Sequence, residues 1–475
     1  MRHLRRLPLL ALIGCSLGTY DYVPCEANKQ CRDAFGFNNV CNPEGFCQQA
    51  EANDRCTETW PEDLLERPEN YETTIILGSL YDHSTDTPET LATQLPIIQV
   101  NTSEGLDGQF FGIVQCDYAE DLDIDDQTAD EATESGALYL ADTIGVASII
   151  GPATSSQAQT AYSALHYGAA DFDVVLISPS ATSTSLTSID GVAPTEEDPG
   201  LFWRTAPPDD LQGKVIADLV TEQGLSDVIC IHESGPYGQG LYEAFDLNYA
   251  GNAEEITYTE QATISDYVVS GTAGKDAVLF FASDASDIAA FLNAAVGLAQ
   301  FEDMPIFFAD AARDTDLLDA ASSASDLFDN VTGTAPAIVL GDVYDAFNSA
   351  YAAEYAPSSA SDSVYTPYCY DATWLAIYGT AWSYYQDGGV GGTGIARGLR
   401  HISDPDWEEE DQIILRLTSW IELVAYADAG EDINVIGASG ELEYDPETGE
   451  TSGPVDVWKI NEDGDGFDTV NTVEP

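Results

Sequence analysis

From Tyr71 onward the chain alternates short apolar runs with longer segments in which apolar residues recur every three or four positions. The runs TIILGSL (Thr74 to Leu80), FFGIVQCD (Phe110 to Asp117), VASIIG and VVLISPS are short, β-branched and bounded by turn residues, the pattern of buried strands. Between them, Pro88 to Val100, DEATESGALYLADTIG and the segment after GPATSSQ carry helical spacing. The alternation restarts after Arg204. LQGKVIADLVTEQG, QGLYEAFDLNYA and ASDIAAFLNAAVGLAQ read as helices, and DVICIHES, EEITYTEQ, DAVLFFAS and MPIFFAD as strands. From Asp342 to Ala427 the pattern is mostly helical, with Tyr370 to Tyr385 the clearest helix. Alternating β and α of this length predicts an α/β protein of two doubly wound parallel-sheet lobes. Residues 71–205 plus 334–425 are expected to form the first lobe, and 206–333 plus 426–475 the second.

The segment before Tyr71 differs. MRHLRRLPLLALIGCS begins with Arg2, Arg5 and Arg6 and has an apolar core from Leu7 to Ile13, too short to span a bilayer. It reads as a secretory signal over residues 1–14. Leu12-Ile13-Gly14-Cys15 resembles a bacterial lipobox, so Cys15 is the expected lipidation site; secretion with an incidental cysteine is the alternative. Ser16 after it leans towards outer-membrane sorting. Residues 15–70 then form a Cys-rich module and linker. Cys25, Cys31, Cys41 and Cys47 lie in a stretch too poor in apolar residues to build its own core, which in an oxidising compartment reads as a disulfide staple. Three pairings are open, the interleaved one (first to third, second to fourth) being preferred. A zinc site would want tighter C-x2-C spacing, and no metal or cofactor is expected. Cys56 and Cys116 are candidates for a bridge onto the main body, and Cys230 and Cys369 for buried thiols.

Charge narrows the partners. The 475 residues include 83 acidic and 15 basic side chains, a net charge of -68, and only four of the bases are lysines. A phosphate backbone would be repelled, so nucleic acid is excluded. The acidic residues are spread along the chain, as on a solvated surface suited to a salty medium.

Motifs of catalysis are missing. There is no G-x-S-x-G, GASG (Gly437 to Gly440) coming nearest, no H-E-x-x-H and no P-loop. GVGGTG (Gly389 to Gly394) follows a helical segment rather than a strand, so it reads as a loop before a helix. NEDGDGFD (Asn461 to Asp468) has Thr472 where a calcium loop needs its glutamate, so it reads as a hairpin turn. No enzyme is expected. What remains are GPATSSQ (Gly151 to Gln157) and SPSAT (Ser178 to Thr182), hydroxyl-rich loops at the carboxyl ends of strands, where α/β sheets bind ligands and where amides at a helix start attract an anion.

In order, GSLYDH, EGLDGQFFGIVQCD, VASIIGPATSSQAQTA, VVLISPSATSTSLT, LFWRTAPPDDLQGKVIADL, GPYGQGL, MPIFFAD, YCYDATWLAIYG and GASGELEYDPETG resemble the type I periplasmic binding proteins. The likeness is to the leucine/isoleucine/valine-binding, amino-acid receptor-like branch and covers about residues 71–475; the Cys-rich module lies outside it. The resemblance implies two lobes joined by a three-segment hinge that close on a small ligand. It implies a ligand carboxylate held by Ser155, Ser156, Ser180 and Thr182, Tyr81 contributed by the loop after the first strand, Tyr237 closing from the second lobe, and Asp310 facing the ammonium group. Serine at position 180 departs from the alanine common in amino-acid binders. The partners implied are an amino acid or related carboxylate and an ABC permease or sensor, with the membrane reached through the lipid alone. The alternative is an envelope scaffold lipoprotein that keeps the fold without transport.

Overall fold

The computed structural model describes residues 24–120, 124–191, 195–403 and 412–475. The signal segment and Cys15 lie outside the described residues. Two sheets organise the rest. The first has six strands in the order Glu58–Trp60, Phe111–Asp117, Ile75–Tyr81, Ser148–Ile150, Val175–Ser178, Phe202–Arg204. The last five of these are parallel to one another. The second has seven, in the order Asn252–Tyr258, Asp227–Glu233, Ala277–Phe281, Ile306–Phe308, Val331–Pro336, Val455–Ile460, Phe467–Val473. Its first five are parallel and its last two form an antiparallel hairpin turned by Asn461–Gly466, the segment read as a turn. Near-continuous burial of runs such as Val175–Ser178 and Ala277–Phe281 is what a parallel sheet covered on both faces requires.

Two boundaries differ from the expected ones. Glu58–Trp60, assigned to the linker, is the antiparallel edge of the first sheet, paired to Ile113–Gln115. The disulfide Cys56–Cys116 holds it there, with Cys56 buried, so the first lobe begins earlier. Residues 426–444 are expected in the second lobe, yet Ala427, Ile433, Val435, Leu442 and Tyr444 pack into the first core. Only the strands from Val455 onward return to the second sheet. The physical reason is apolar burial: Val435–Ile436 pairs with Ile413–Ile414, and Ile413, Val435 and Trp420 all enter the first core.

The first lobe is built around the helix Thr366–Trp382, every residue of which is buried. Hydrophobic on all faces, it packs against Thr87–Asn101 on one side and Gly392–Leu399 on the other. Gly379 and Gly398 permit the second contact, since an added Cβ at Gly379 would lie 2.6 Å from Ile395 and one at Gly398 2.6 Å from Trp382. Asp371 on the same helix accepts the amides of Ala438 (2.8 Å) and Ser439 (2.7 Å) and the Ser439 hydroxyl (2.6 Å). GASG is therefore a loop anchored on a buried carboxyl. GVGGTG likewise leads into Gly392–Leu399, where Asp173 accepts the Thr393 amide (2.6 Å) and Gly392 abuts the Asp173 backbone.

Three chain segments join the lobes, after Arg204, after Pro336 and before Val455. Tyr444 donates to the Arg204 carbonyl (2.7 Å), Thr205 to the Tyr368 carbonyl (3.0 Å), Tyr368 to the Ala337 carbonyl (3.0 Å) and the Ala337 amide to the Pro454 carbonyl (2.9 Å). Arg204, fully buried, pairs with Glu450 and donates to the carbonyls of Ala181 (3.1 Å) and Ser183 (2.7 Å).

The N-terminal module is held by Cys25–Cys41 and Cys31–Cys47, the interleaved pairing. A short helix, Asn28–Phe35, lies over the hairpin Asn39–Cys41/Cys47–Gln49. Asn28 donates to Asp142 (2.7 Å) and Arg32 to the Asp142 carbonyl, docking the module on the first lobe. Cys230 and Cys369 are buried thiols. Among the described residues no helix is long and apolar enough to cross a membrane.

Candidate functional site

Each sheet reverses its strand order once, between Ile75–Tyr81 and Ser148–Ile150 in the first and between Asp227–Glu233 and Ala277–Phe281 in the second. The connections leaving adjacent strands run to opposite faces of the sheet at such switch points and leave a crevice beyond the carboxyl ends of the strands. The two crevices face one another across a cavity of about 360 Å³. Loops after Tyr81, Ile150 and Ser178 form the first lobe's wall, and loops after Glu233, Phe281 and Phe308 the second's.

The first wall is stitched by its own hydroxyls. Ser178 donates to the Pro152 carbonyl (2.7 Å) and accepts the Ala181 amide (3.1 Å). Ser180 donates to the Ala153 carbonyl (2.8 Å), and Ser155 accepts the Ser183 amide (3.1 Å). GPATSSQ and SPSAT are thus one unit, which a free linker would not be. Thr154 caps the helix Ser155–His166 by accepting the Gln157 amide (3.3 Å), leaving Ser155 and Ser156 in its first turn at the cavity. The lobes touch beside them: Ser183 donates to the Pro236 carbonyl (2.7 Å).

On the second wall Asp310 is 4% exposed, and its carboxylate is already well furnished with donors. Gln212 (2.7 Å) and Tyr237 (2.7 Å) donate to Oδ1, and Tyr365 (2.6 Å) to Oδ2. Burial first, and then the Asp310 charge, push both phenols well above their ordinary pKa, so they remain donors.

Of the residues expected at the ligand, Ser155, Ser156, Ser180, Tyr237 and Asp310 line the cavity. Tyr81 and Thr182 do not, and these two are corrected. Tyr81 is fully buried in the first core, its hydroxyl bonded to that of Thr93 at 2.9 Å. A strand residue one position earlier or later faces the opposite side of the sheet, so only the loop after it reaches the cavity. Thr182 is 1% exposed and turned inward beside the Asp209 carboxyl, and its carbonyl accepts the Asp209 amide at 2.9 Å.

The structure adds residues that the sequence pattern did not mark. Eight carboxyl side chains line the cavity, against one cationic side chain, Arg313. Burial pushes Glu89 and Glu233 up to about 7 and Asp314 up to about 6. Glu233 is satisfied by Ser283 through its amide (2.8 Å) and hydroxyl (2.9 Å). The three carboxyls sit at a helix start, a strand end and a turn, and nothing in their local sequence separates them from the many surface acids. Among the described residues, the sole cluster with metal-ligand geometry is Cys25, Cys31 and Cys47, whose sulfurs are in disulfides.

Two α/β lobes, three connecting segments and a cavity between facing switch points define a bilobed ligand-binding protein of the type I periplasmic fold. The chain matches the receptor family ligand binding region over residues 90–463 and belongs to that family. Among solved structures it is similar to the branched-chain amino acid transporter substrate-binding protein LivJ of Streptococcus pneumoniae, solved in complex with isoleucine. That match has 19% identity and a TM-score of 0.62, covering 85% of this chain and 100% of that one. The leucine-binding protein LivK of Thermotoga maritima is similar at 16% identity and a TM-score of 0.62, covering 85% and 99%. A solute-binding protein from R. palustris in complex with 4-hydroxybenzoate matches at 14% identity and a TM-score of 0.61, covering 84% and 97%. No curated protein matches the chain. These neighbours are solute-binding proteins rather than enzymes, and at such identities the likeness is one of fold.

Proposed function

We propose that this chain is an extracytoplasmic solute-binding protein, anchored by a lipid on Cys15, whose lobes close on a small ligand bearing a carboxylate and an amine. It hands that ligand to an ABC permease or reports it to a sensor. The observation that carries this reading is the cavity between the lobes. It sets Ser155 and Ser156 at a helix start, with Ser180 in the adjoining loop, on one wall opposite Tyr237 and Asp310 on the other. Hydroxyls and first-turn amides suit a carboxylate, and a buried acceptor within the second lobe suits an ammonium. Charge-assisted bonds of this kind contribute about 1.5–3 kcal/mol each, and a hinge converts occupancy into a shape that a membrane partner can recognise. Solved neighbours that bind isoleucine or 4-hydroxybenzoate support a ligand of this size.

Calorimetry of the purified protein against the twenty amino acids and simple aromatic acids tests the reading. Binding that falls at least tenfold in Ser155→Ala/Ser156→Ala supports the site. Binding that the double variant leaves unchanged refutes the assignment, and no binding across the panel refutes the function.

A further inference from the structure

The cavity is lined by two chemically different groups of side chains. One is the hydroxyls of Ser155, Ser156 and Ser180. The other is the carboxyls of Asp86 and Glu89 from the first lobe and Asp314 from the second. Glu89 lies in the first turn of Thr87–Asn101 and is 7% exposed, with Ser363 beside its carboxyl, yet its buried Oε2 has no hydrogen-bond partner. An unpartnered, buried acceptor in a cavity wall is destabilising, more so if charged, unless a ligand supplies the donor.

Among the described residues no protein cation fills that role. Arg313 reaches the wall, but its guanidinium is bound to Asp456 (2.9 Å) and Thr469 (2.9 Å) at the second lobe's edge. A bare metal ion fits poorly. Among the described residues no three carboxylate oxygens of this group lie within 4.8 Å of one another, as preformed cation ligation would require. An extended organic cation, with several donors on one charged head, fits the spread acceptors better.

Resting on the reading that the cleft binds a small ligand, we propose that this ligand carries a net positive charge, with an ammonium or guanidinium group that donates to Glu89 between Asp86 and Asp314. The titratable groups that face Glu89 are Asp86 on its own turn, Asp314 and Asp362 across from it, and, towards the core, the neutral phenols of Tyr81 and Tyr351 and the neutral thiol of Cys369. Burial first, and then the charges of Asp314 and Asp362, hold a proton on this group in the empty cleft near neutral pH. A bound cation displaces that proton.

The test is titration calorimetry of the full chain at pH 8 and low salt with lysine, arginine, putrescine, leucine and benzoate, with the tightest ligand repeated at pH 7 in two buffers of different ionisation heat. Cations binding at least tenfold tighter than leucine and benzoate, with proton release at pH 7 and a tenfold or greater loss in Glu89→Gln, are expected. Asp314→Asn should lose affinity in the same direction, and it stands in should Glu89→Gln fold poorly. Lysine or arginine outranking putrescine identifies a basic amino acid, and the reverse a diamine. Leucine or benzoate outranking every cation overturns this inference while leaving the binding function intact. Cation binding that neither variant weakens overturns the placement at Glu89, and silence from all five probes overturns this inference, the binding function itself being decided by the wider panel above.

Discussion

Arg204 is the residue on which the hinge and the hydroxyl loop both lean, and replacing it by methionine makes the sharpest test of that role. The side chain is fully buried. Its Nε donates to Glu450 at 2.9 Å, its Nη1 to the carbonyls of Ala181 and Ser183, and its Nη2 to Thr187 at 2.9 Å and to the second Glu450 oxygen. Methionine would fill much of the aliphatic volume and supply none of the donors. Glu450, whose side chain is 12% exposed, would then keep a charge with no cation, a loss of about 3–5 kcal/mol. Two carbonyls stripped of their donor add about 1–3 kcal/mol together. The expected total is about 4–8 kcal/mol, a large share of the ~5–15 kcal/mol that holds a folded domain.

Urea unfolding followed by tryptophan fluorescence reads this directly, since Trp203 is the next residue and is itself buried. Most of the deficit belongs to the abandoned Glu450 charge, so Arg204→Met/Glu450→Leu should regain about 2 kcal/mol or more over the single variant, even though a second native residue is gone. A single variant within about 1 kcal/mol of the native protein, or a double variant no better than the single, would refute the argument.

Three further outcomes follow from the same geometry. Burial pushes Asp371 and Glu89 up to about 7, so the native state holds protons that the unfolded chain has already released. The stability they bring is full below about pH 4 and is lost as pH rises through 7, about 1 kcal/mol per group between pH 6 and 8. A urea midpoint that rises from pH 6 to 8, or a slope that Asp371→Asn leaves unchanged, contradicts this. Cys56→Ser/Cys116→Ser opens a bridge with a sequence separation of 60, which chain entropy values at about 4 kcal/mol; calorimetry should show the first lobe melting on the order of 10 °C lower. Gly235 has φ +127, and an added Cβ there would lie 2.9 Å from the Ser156 hydroxyl of the opposite lobe, so Gly235→Ala should hold the cleft more open. Small-angle scattering would then report a larger radius of gyration, and an unchanged radius with unchanged affinity would contradict it.

Elements that bury continuous apolar runs were legible in the sequence because burial and periodicity coincide there: Val175–Ser178 and Ala277–Phe281 fall where the pattern put them, and the helix expected from Tyr370 to Tyr385 runs from Thr366 to Trp382. Glu58–Trp60 was not, because three residues with one buried side chain make no pattern; the disulfide of Cys56 places them. Residues 433–444 pass to the first lobe through a two-residue strand pair and scattered apolar contacts, again below any periodic signal. At the site the loops were legible and the individual side chains less so. Ser180 and Ser155 lie where expected, but Tyr81 and Thr182 differ from them only in which way one residue of a turn or strand points. That orientation is set by register, which spacing along one chain does not carry.

The cleft carboxyls mark the limit of composition as a guide. With 83 acidic residues, the reading of acidity as solvated surface is right for most of the chain, and there a carboxylate is hydrated and screened within a few ångströms. The same residue type at position 89 has lost its water, faces Asp86 and Asp314, and is pushed up to about 7. Salt reaches it poorly, because screening ions must enter the cavity to act. Its preference for a cationic partner should therefore persist at ionic strengths that silence the surface charges, so a strongly acidic protein can still discriminate ligands by charge.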